Sequence, residues 1–362
     1  MNLISEFATG GIEHALVAGL EMAREGSDPT FGFPQGVPDT TLVNPGGVYA
    51  QTSPGLRLRS TNEVDTLAGF VLDTIKFTPR WQLMAGVRWD RFGIDYDAQR
   101  FDNGVFLRNE NISRTDIETS WRMALVYKPV ANGTIYLGGG TSFNPSGEGL
   151  SFINSGRNLT IGDAFLDPEH NRTLELGTKW ELPGRALMLD ASVFHIEKSN
   201  ARVPDPATPG FNILAGEQTV DGVSINLNGS VAPRVSVTGG YTWLDSEQGR
   251  STQAALIPGT PLVNVPEHTF SGWVNVALDT HWEFGVGARY VDERLATNAQ
   301  PVKRVPDYWA VDAMARFEVN DNLSFKLNVT NLANEYYFDQ LHPFHVVPGP
   351  GLGALFAVNL DY

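Results

Sequence analysis

The chain has 362 residues, a formal net charge of −15 and no cysteine, which excludes a disulfide scaffold and a cysteine-ligated metal site. The negative charge argues against non-specific binding to nucleic acid. The mean hydropathy is −0.17 and no apolar run approaches 18 residues in length. These features exclude helical membrane spans but not membrane strands, which are apolar only at alternate positions.

Segments with a period of two recur along the whole chain. In the first clear example, Trp81, Val87 and Trp89 fall on one face, and Arg88 and Asp90 fall on the other. Helical spacing would scatter these apolar residues around the axis, so the pattern predicts strands. The same alternation occurs in residues 121–128, 235–243, 282–290, 323–330 and 352–362. Counting all such segments predicts an all-β chain of about fourteen antiparallel strands.

The connections between these segments alternate between short and long. The short turns lie at 78–80, 129–133, 182–185, 231–234, 279–281 and 320–322. The long polar connections are predicted at 24–59, 95–114, 143–170, 199–221, 245–266, 292–306 and 335–350. Short turns on one side and long loops on the other are typical of outer-membrane β-barrels. No linker divides residues 1–362, so we expect one barrel domain.

A soluble sandwich or propeller is the alternative fold. Those folds also alternate, but their exposed face is polar and their loops do not segregate by length. Here the apolar face carries aromatic residues near strand ends, as the interfacial girdle of a membrane barrel does. These residues are Trp81, Trp89, Tyr127, Trp180, Tyr290 and Tyr362. The sequence therefore favours a transmembrane antiparallel β-barrel.

Several segments, taken in order, resemble a known family. They are residues 70–75, 83–90, 121–129, 141–145, 166–179, 221–223, 265–268 and 328–337, followed by the C-terminal strand. Their order and spacing resemble the C-terminal half of TonB-dependent siderophore receptors. The pairs His342-Pro343 and Pro348-Gly349 are similar to the catecholate-type members. Intact receptors of this family have a plug inside a barrel of about 22 strands.

The resemblance implies a partial barrel, the C-terminal two-thirds of a 22-stranded one. His14 to Glu21 already resembles a mid-barrel strand, so we expect residues 1–362 to lack the signal peptide, TonB box and plug. A first strand without a neighbour exposes unpaired backbone groups to hydrocarbon, at several kcal/mol each. The chain is therefore expected to close as a narrower barrel, to pair with another chain, or to fail to insert.

The resemblance also implies a function. The chain is expected to be the barrel portion of a receptor for ferric siderophore in the outer membrane of a Gram-negative bacterium. Its expected partners are the ferric siderophore, membrane lipid and, in the intact family, the TonB complex. The chain is expected to have no enzyme activity and to need no cofactor. Lacking a plug, the chain would not perform energised transport alone. The alternatives are a passive outer-membrane pore and a non-functional truncated remnant.

Ligand contacts are expected in the long loops, because ferric siderophores are usually anionic and call for arginine, lysine and aromatic side chains. The candidates are Arg294, Lys303 and Arg304 on one loop, and His342, Phe344 and His345 on the last loop. The alternative is that these cations are hydrated or pair with nearby acids such as Asp292, Glu293 and Asp307. No third ligand accompanies the two loop histidines in sequence, so no metal site is expected.

Charged residues on the polar face of the strands are expected to pair with one another across the barrel wall. The predicted cations are Arg88, Arg122, Lys179, Arg289, Arg316 and Lys326, and the predicted acids are Asp90, Glu175, Glu283 and Asp312. In intact receptors of the family such wall charges contact the plug.

Overall fold

The computed structural model describes residues 1–33, 55–145, 166–182, 184, 186–204, 212–249, 258–297, 302–341 and 346–360. Across these ranges the regular structure is β-strand throughout. The described residues form no helix with the length and apolarity needed to cross a bilayer.

The strands are β1 (Asn2–Thr9), β2 (Ile12–Ser27), β3 (Thr30–Phe33), β4 (Gly55–Lys76), β5 (Trp81–Asp102), β6 (Val105–Val130), β7 (Gly133–Asn144), β8 (Glu169–Leu182), β9 (Leu187–Pro204), β10 (Asn212–Ala232), β11 (Val235–Gln248), β12 (His268–Ala277), β13 (Trp282–Val291), β14 (Arg294–Thr297), β15 (Lys303–Val305), β16 (Tyr308–Asn320), β17 (Leu323–Thr330), β18 (Phe338–Leu341), β19 (Val346–Pro348) and β20 (Gly353–Leu360).

Sixteen of these strands form one antiparallel sheet. Its order is β1, β2, β4 to β13, β16, β17 and β20, with β3 paired to β4. The remaining strands make two small hairpins, β14–β15 and β18–β19. Each strand of the main path therefore pairs with its neighbour in that order, which is an up-and-down meander. This arrangement confirms the predicted all-β antiparallel architecture.

All six predicted short turns join neighbouring strands at one edge of the sheet, here called the turn end. The turn between β12 and β13 is typical: the Asp279 carboxylate accepts hydrogen bonds from the backbone N–H of Trp282 at 2.7 Å and of His281 at 2.8 Å. These bonds hold the pKa of Asp279 below its usual range. The opposite edge, which carries the longer connections, is here called the loop end.

Two predicted loops are largely strand in the structure. Residues 95–114 were expected to be a polar loop, but β5 continues to Asp102 and β6 begins at Val105. The two residues between them, Asn103 and Gly104, have φ values of 50° and 89°, as a type I′ hairpin turn requires. The prediction of a loop over 199–221 is wrong in the same way, because β9 reaches Pro204 and β10 begins at Asn212.

One face of the sheet, here called the apolar face, carries a continuous band of exposed apolar side chains. Val87 is half exposed and lies opposite Trp121 in the β5–β6 ladder, and Leu327 lies opposite Phe356 in the β17–β20 ladder. Other exposed members are Trp81, Trp89, Met123, Leu125, Leu137, Leu176, Val193, Ile225, Phe270, Val286, Trp309, Val358 and Leu360. A soluble monomer does not leave a band of this extent facing water.

The opposite face is here called the polar face, and charged and small residues alternate with the apolar band along each strand. Its charged members include Arg88, Asp90, Arg122, Glu175, Lys179, Glu283 and Arg316. At the loop end this face instead buries a small apolar cluster of Leu58, Val64, Ile94, Tyr96, Ala98 and Ile112. Phe31 on β3 packs against that cluster, which fixes the short strand to the extended β4–β6 region.

Candidate functional site

Arg294, the first residue of β14, lies at the loop end beside the connection between β17 and β20. Its side chain is buried, at 8% exposure. Nη2 donates a hydrogen bond to the carbonyl oxygen of Phe338 at 2.6 Å, and Nη1 donates to the carbonyl of Asp339 at 3.4 Å. Nη1 also donates to Oδ1 of Asn264 at 3.2 Å. Arg294 thus joins three separate connections, which is a structural role for its guanidinium.

Lys303 and Arg304 lie on β15, the strand that pairs with β14. Both side chains are exposed. Arg304 forms an ion pair with Glu293, which was one of the acids named as an alternative partner. Lys303 makes no ion pair or side-chain hydrogen bond with any residue that the structure describes. Of the three predicted cations, Lys303 therefore has its charge free for a ligand.

His342, Phe344 and His345 lie outside the described residues, between β18 and β19. Their predicted role in ligand binding stays a prediction.

A second cation, on the polar face of β13, stabilises the connection between β17 and β20. Arg289 on β13 was expected to pair with an acid on the polar face. Instead its guanidinium stacks on the rings of Tyr308, at 5.7 Å, and Tyr337, at 5.6 Å. Nη2 of Arg289 also donates a hydrogen bond to the Tyr337 hydroxyl at 3.1 Å. Both tyrosines are buried, so this cluster fixes the connection to the wall.

Asn331 fixes the two ends of the same connection. Its backbone N–H donates to Oδ1 of Asp312 at 2.7 Å, and its Nδ2 donates to the carbonyls of Glu335 and Pro350. Its Oδ1 accepts a bond from the Glu335 N–H at 2.8 Å. The Asp312 carboxylate, which was predicted to pair with a cation, caps a backbone turn instead. The β17–β20 connection is therefore fixed at both ends. Arg294 joins this connection to β14, the strand that pairs with Lys303-bearing β15.

Two of the ion pairs on the polar face confirm part of the predicted charge pairing. Arg88 binds Asp90 at 2.8 Å and also Glu21 on β2 at 3.0 Å. Arg316 lies 3.9 Å from Glu283, a weaker contact that confirms the predicted neighbours. Lys326 has no ion-pair partner among the described residues, so its predicted pairing is not seen there.

A shallow cavity of about 510 Å³ opens on the polar face across β6, β7 and β8. Arg122, Tyr136, Glu175 and Lys179 line it together with three consecutive glycines, Gly138–Gly140. Tyr136 donates its hydroxyl proton to Glu175, and the Lys179 ammonium lies 5.9 Å from the Tyr136 ring centre. The Arg122 side chain is exposed and has no ion-pair partner in the described ranges. The cavity therefore offers cationic groups partway along the wall, below the loop end.

A family profile described as "TonB dependent receptor-like, beta-barrel" matches residues 5–332. The probable TonB-dependent siderophore receptor PiuA of Acinetobacter baumannii is 32% identical over 309 residues, covering 83% of this chain and 41% of PiuA. The catecholate siderophore receptor Fiu of Escherichia coli K12 is 26% identical over 393 aligned positions, covering 100% of this chain and 50% of Fiu.

The fold is similar to solved receptor structures. The closed form of the ferric-catecholate import receptor Fiu from E. coli K12 superposes with a TM-score of 0.88 at 25% identity, covering 100% of this chain and 54% of that one. The meander described above thus has the strand arrangement of a receptor barrel. The chain spans about half the length of the curated relatives it matches.

Proposed function

The chain belongs to the TonB-dependent receptor β-barrel family. From this premise we propose that it forms part of the barrel wall of an outer-membrane receptor that takes up ferric siderophores, including catecholates. Members of the family are receptors and not enzymes. In this assignment the apolar face meets lipid, the polar face lines the lumen, and the loop end faces outside the cell of a Gram-negative bacterium. The TonB complex would supply the energy for uptake by the whole receptor.

One observation carries the ligand assignment: a free cation stands on a rigid frame at the loop end. The Lys303 ammonium is exposed and unpaired within the described part of the chain, whereas Arg294, Arg289 and Asn331 fix the surrounding connections. A ferric catecholate is a bulky anion, so it gains from a fixed positive charge near the lumen opening. Arg122 and Lys179, farther along the polar face, continue the positive sites into the lumen.

The proposal is tested by ligand binding to residues 1–362 folded in detergent. The probe is an iron(III) tris-catecholate, and the readout is quenching of tryptophan fluorescence. We expect saturable binding that weakens on Lys303→Glu. Reversal of one exposed charge costs on the order of 1 kcal/mol, which corresponds to roughly fivefold in Kd.

The matched control is Arg80→Glu, which reverses a charge in the β4–β5 turn at the opposite edge of the sheet. Its Kd should equal that of the parent chain. Equal weakening in both variants would mean that net charge alone attracts the ligand. Absence of saturable binding to the parent chain would refute the ligand assignment.

A further inference from the structure

Glu267, His268 and Asp292 form a cluster at the loop end of β12 and β13. Each contributes one ligand atom, and the three atoms lie within 4.8 Å of one another. Within the described ranges, no other set of three or more histidine, cysteine, aspartate or glutamate ligands is this close. His268 lies opposite Trp243 in the β11–β12 ladder, so the cluster is on the apolar face and not on the polar face.

The sheet itself brings the three residues together. The Asp292 N–H donates a hydrogen bond to the His268 carbonyl at 3.0 Å, and the Leu244 N–H donates to the Glu267 carbonyl at 2.8 Å. The backbone at all three ligand positions is therefore tied to the ladder of β11, β12 and β13. Sites supported by strands hold their geometry better than sites on loops.

Each ligand side chain is also held by an aromatic neighbour from outside the cluster. Nδ1 of His268 is hydrogen-bonded to the Tyr241 hydroxyl at 2.9 Å. Trp243 Nε1 donates to Oε1 of Glu267 at 3.3 Å.

The Tyr290 hydroxyl donates to Oδ1 of Asp292 at 3.2 Å. Metal-binding histidines and carboxylates have supporting hydrogen bonds of this kind, which orient them and fix the histidine tautomer. When Nδ1–H of His268 donates to Tyr241, its Nε2 presents a free lone pair. That atom lies 3.8 Å from Oε1 of Glu267.

We propose that Glu267, His268 and Asp292 bind one divalent cation, for which Zn²⁺ is the best match. One imidazole nitrogen and two carboxylates are the ligand types of zinc, whereas Ca²⁺ and Mg²⁺ prefer oxygen alone. Tetrahedral bonds of about 2.0–2.1 Å place ligand atoms roughly 3.3 Å apart. Nε2 of His268 and Oε1 of Glu267, 3.8 Å apart, are already close to that spacing.

The location of the cluster explains why a bound cation would be favourable. Tyr241, Trp243 and Tyr290 are girdle aromatics, so the cluster lies at the level of the lipid headgroups. Two carboxylates at this level are costly to bring near hydrocarbon, and a divalent cation neutralises both. Three protein ligands leave one tetrahedral position for water.

The test is calorimetric titration of Zn²⁺ into residues 1–362, folded in detergent and prepared without a polyhistidine tag. We expect saturable binding at the cluster, tighter for Zn²⁺ than for Mn²⁺ and tighter for Mn²⁺ than for Ca²⁺. His268→Ala should weaken Zn²⁺ binding by more than tenfold. Tyr241→Phe, which keeps the ring and removes the hydroxyl, should weaken it by about 10-fold to 100-fold.

The matched control is His195→Ala. His195 is also exposed on the apolar face and pairs with Asp221 at 2.8 Å, without a third ligand in the described structure. Its removal should leave the Zn²⁺ affinity of the cluster unchanged. If His268→Ala does not fold, the double variant Glu267→Gln/Asp292→Asn removes the charges and keeps the side-chain shapes.

Unchanged Zn²⁺ binding in the folded cluster variants, or an equal loss in His195→Ala, would overturn the proposal. No siderophore is present in this experiment, so its outcome is independent of the proposed uptake function.

Discussion

Arg294 illustrates what one residue can and cannot reveal in sequence. A cation in a polar loop has the same sequence signature whether its side chain faces solvent or is buried against backbone carbonyls. The structure distinguishes the two, because Nη1 and Nη2 of Arg294 reach the carbonyls of Asp339 and Phe338. Lys303, on the neighbouring strand β15, keeps its charge exposed. The sequence thus placed the cations at the correct edge of the sheet and could not separate their roles.

The first prediction concerns this arginine. Arg294→Ala removes the charged donor of the Phe338 and Asp339 carbonyls, and a hydrogen bond to a charged group contributes about 1.5–3 kcal/mol. We expect amide hydrogen exchange in β18, Phe338–Leu341, to become at least about tenfold faster. Arg304→Ala removes only an exposed ion pair and should change the same rates by less than about threefold. Equal rates in the parent chain and Arg294→Ala would show that the guanidinium does not hold this connection.

At the scale of the element, strands and short turns were predictable because period-two patterning and turn residues are local signals. The ends of strands were harder. Beyond the exposed apolar band of β5, the apolar residues Ile94, Tyr96 and Ala98 lie on the opposite face. The charged residues between them make the segment resemble a polar loop. The pair Asn103-Gly104 carried the missing signal, since Asn-Gly favours a type I′ turn between long strands. The contacts of Arg289 with Tyr308 and Tyr337 had no local signal, because three distant strands and loops supply them.

Glycines opposite aromatic rings are a recurrent feature of the polar face. Tyr136 lies directly opposite Gly177 in the β7–β8 ladder, and a Cβ at Gly177 would overlap the tyrosine ring. The same relation holds for Gly19 with Phe70, Gly222 with Phe194 and Gly287 with Trp273. The rings therefore lie along the wall, over the neighbouring strand.

The second prediction follows from this packing. Gly177→Ala should destabilise the folded chain by about 1–3 kcal/mol, the usual cost of overpacking. Gly93→Ala is the control, because a Cβ there has its nearest neighbour at an ordinary 3.7 Å. The readout is the urea midpoint in detergent. In the double variant Tyr136→Ala/Gly177→Ala the glycine substitution should cost less than it does alone; a fully additive result would contradict the close contact.

At the scale of the whole molecule, the exposed apolar face determines the medium in which the sheet is stable. The third prediction compares two neighbours on β17. Leu327→Arg places a charge on the apolar face and should cost about 2–4 kcal/mol of folding free energy in lipid vesicles. Asn328→Arg places the same charge on the polar face, where water replaces lipid, and should cost less than about 1 kcal/mol. Similar costs for both variants would mean that the two faces meet the same medium.

The most direct test of the account removes the detergent from folded residues 1–362 and follows their mass by light scattering. Contact between the apolar face and acyl chains requires an amphiphile at all times, so we expect a monodisperse folded species in micelles and aggregation once the micelles are withdrawn. A compact monomer that stays in solution in plain buffer would contradict the membrane-spanning sheet and the receptor function built on it.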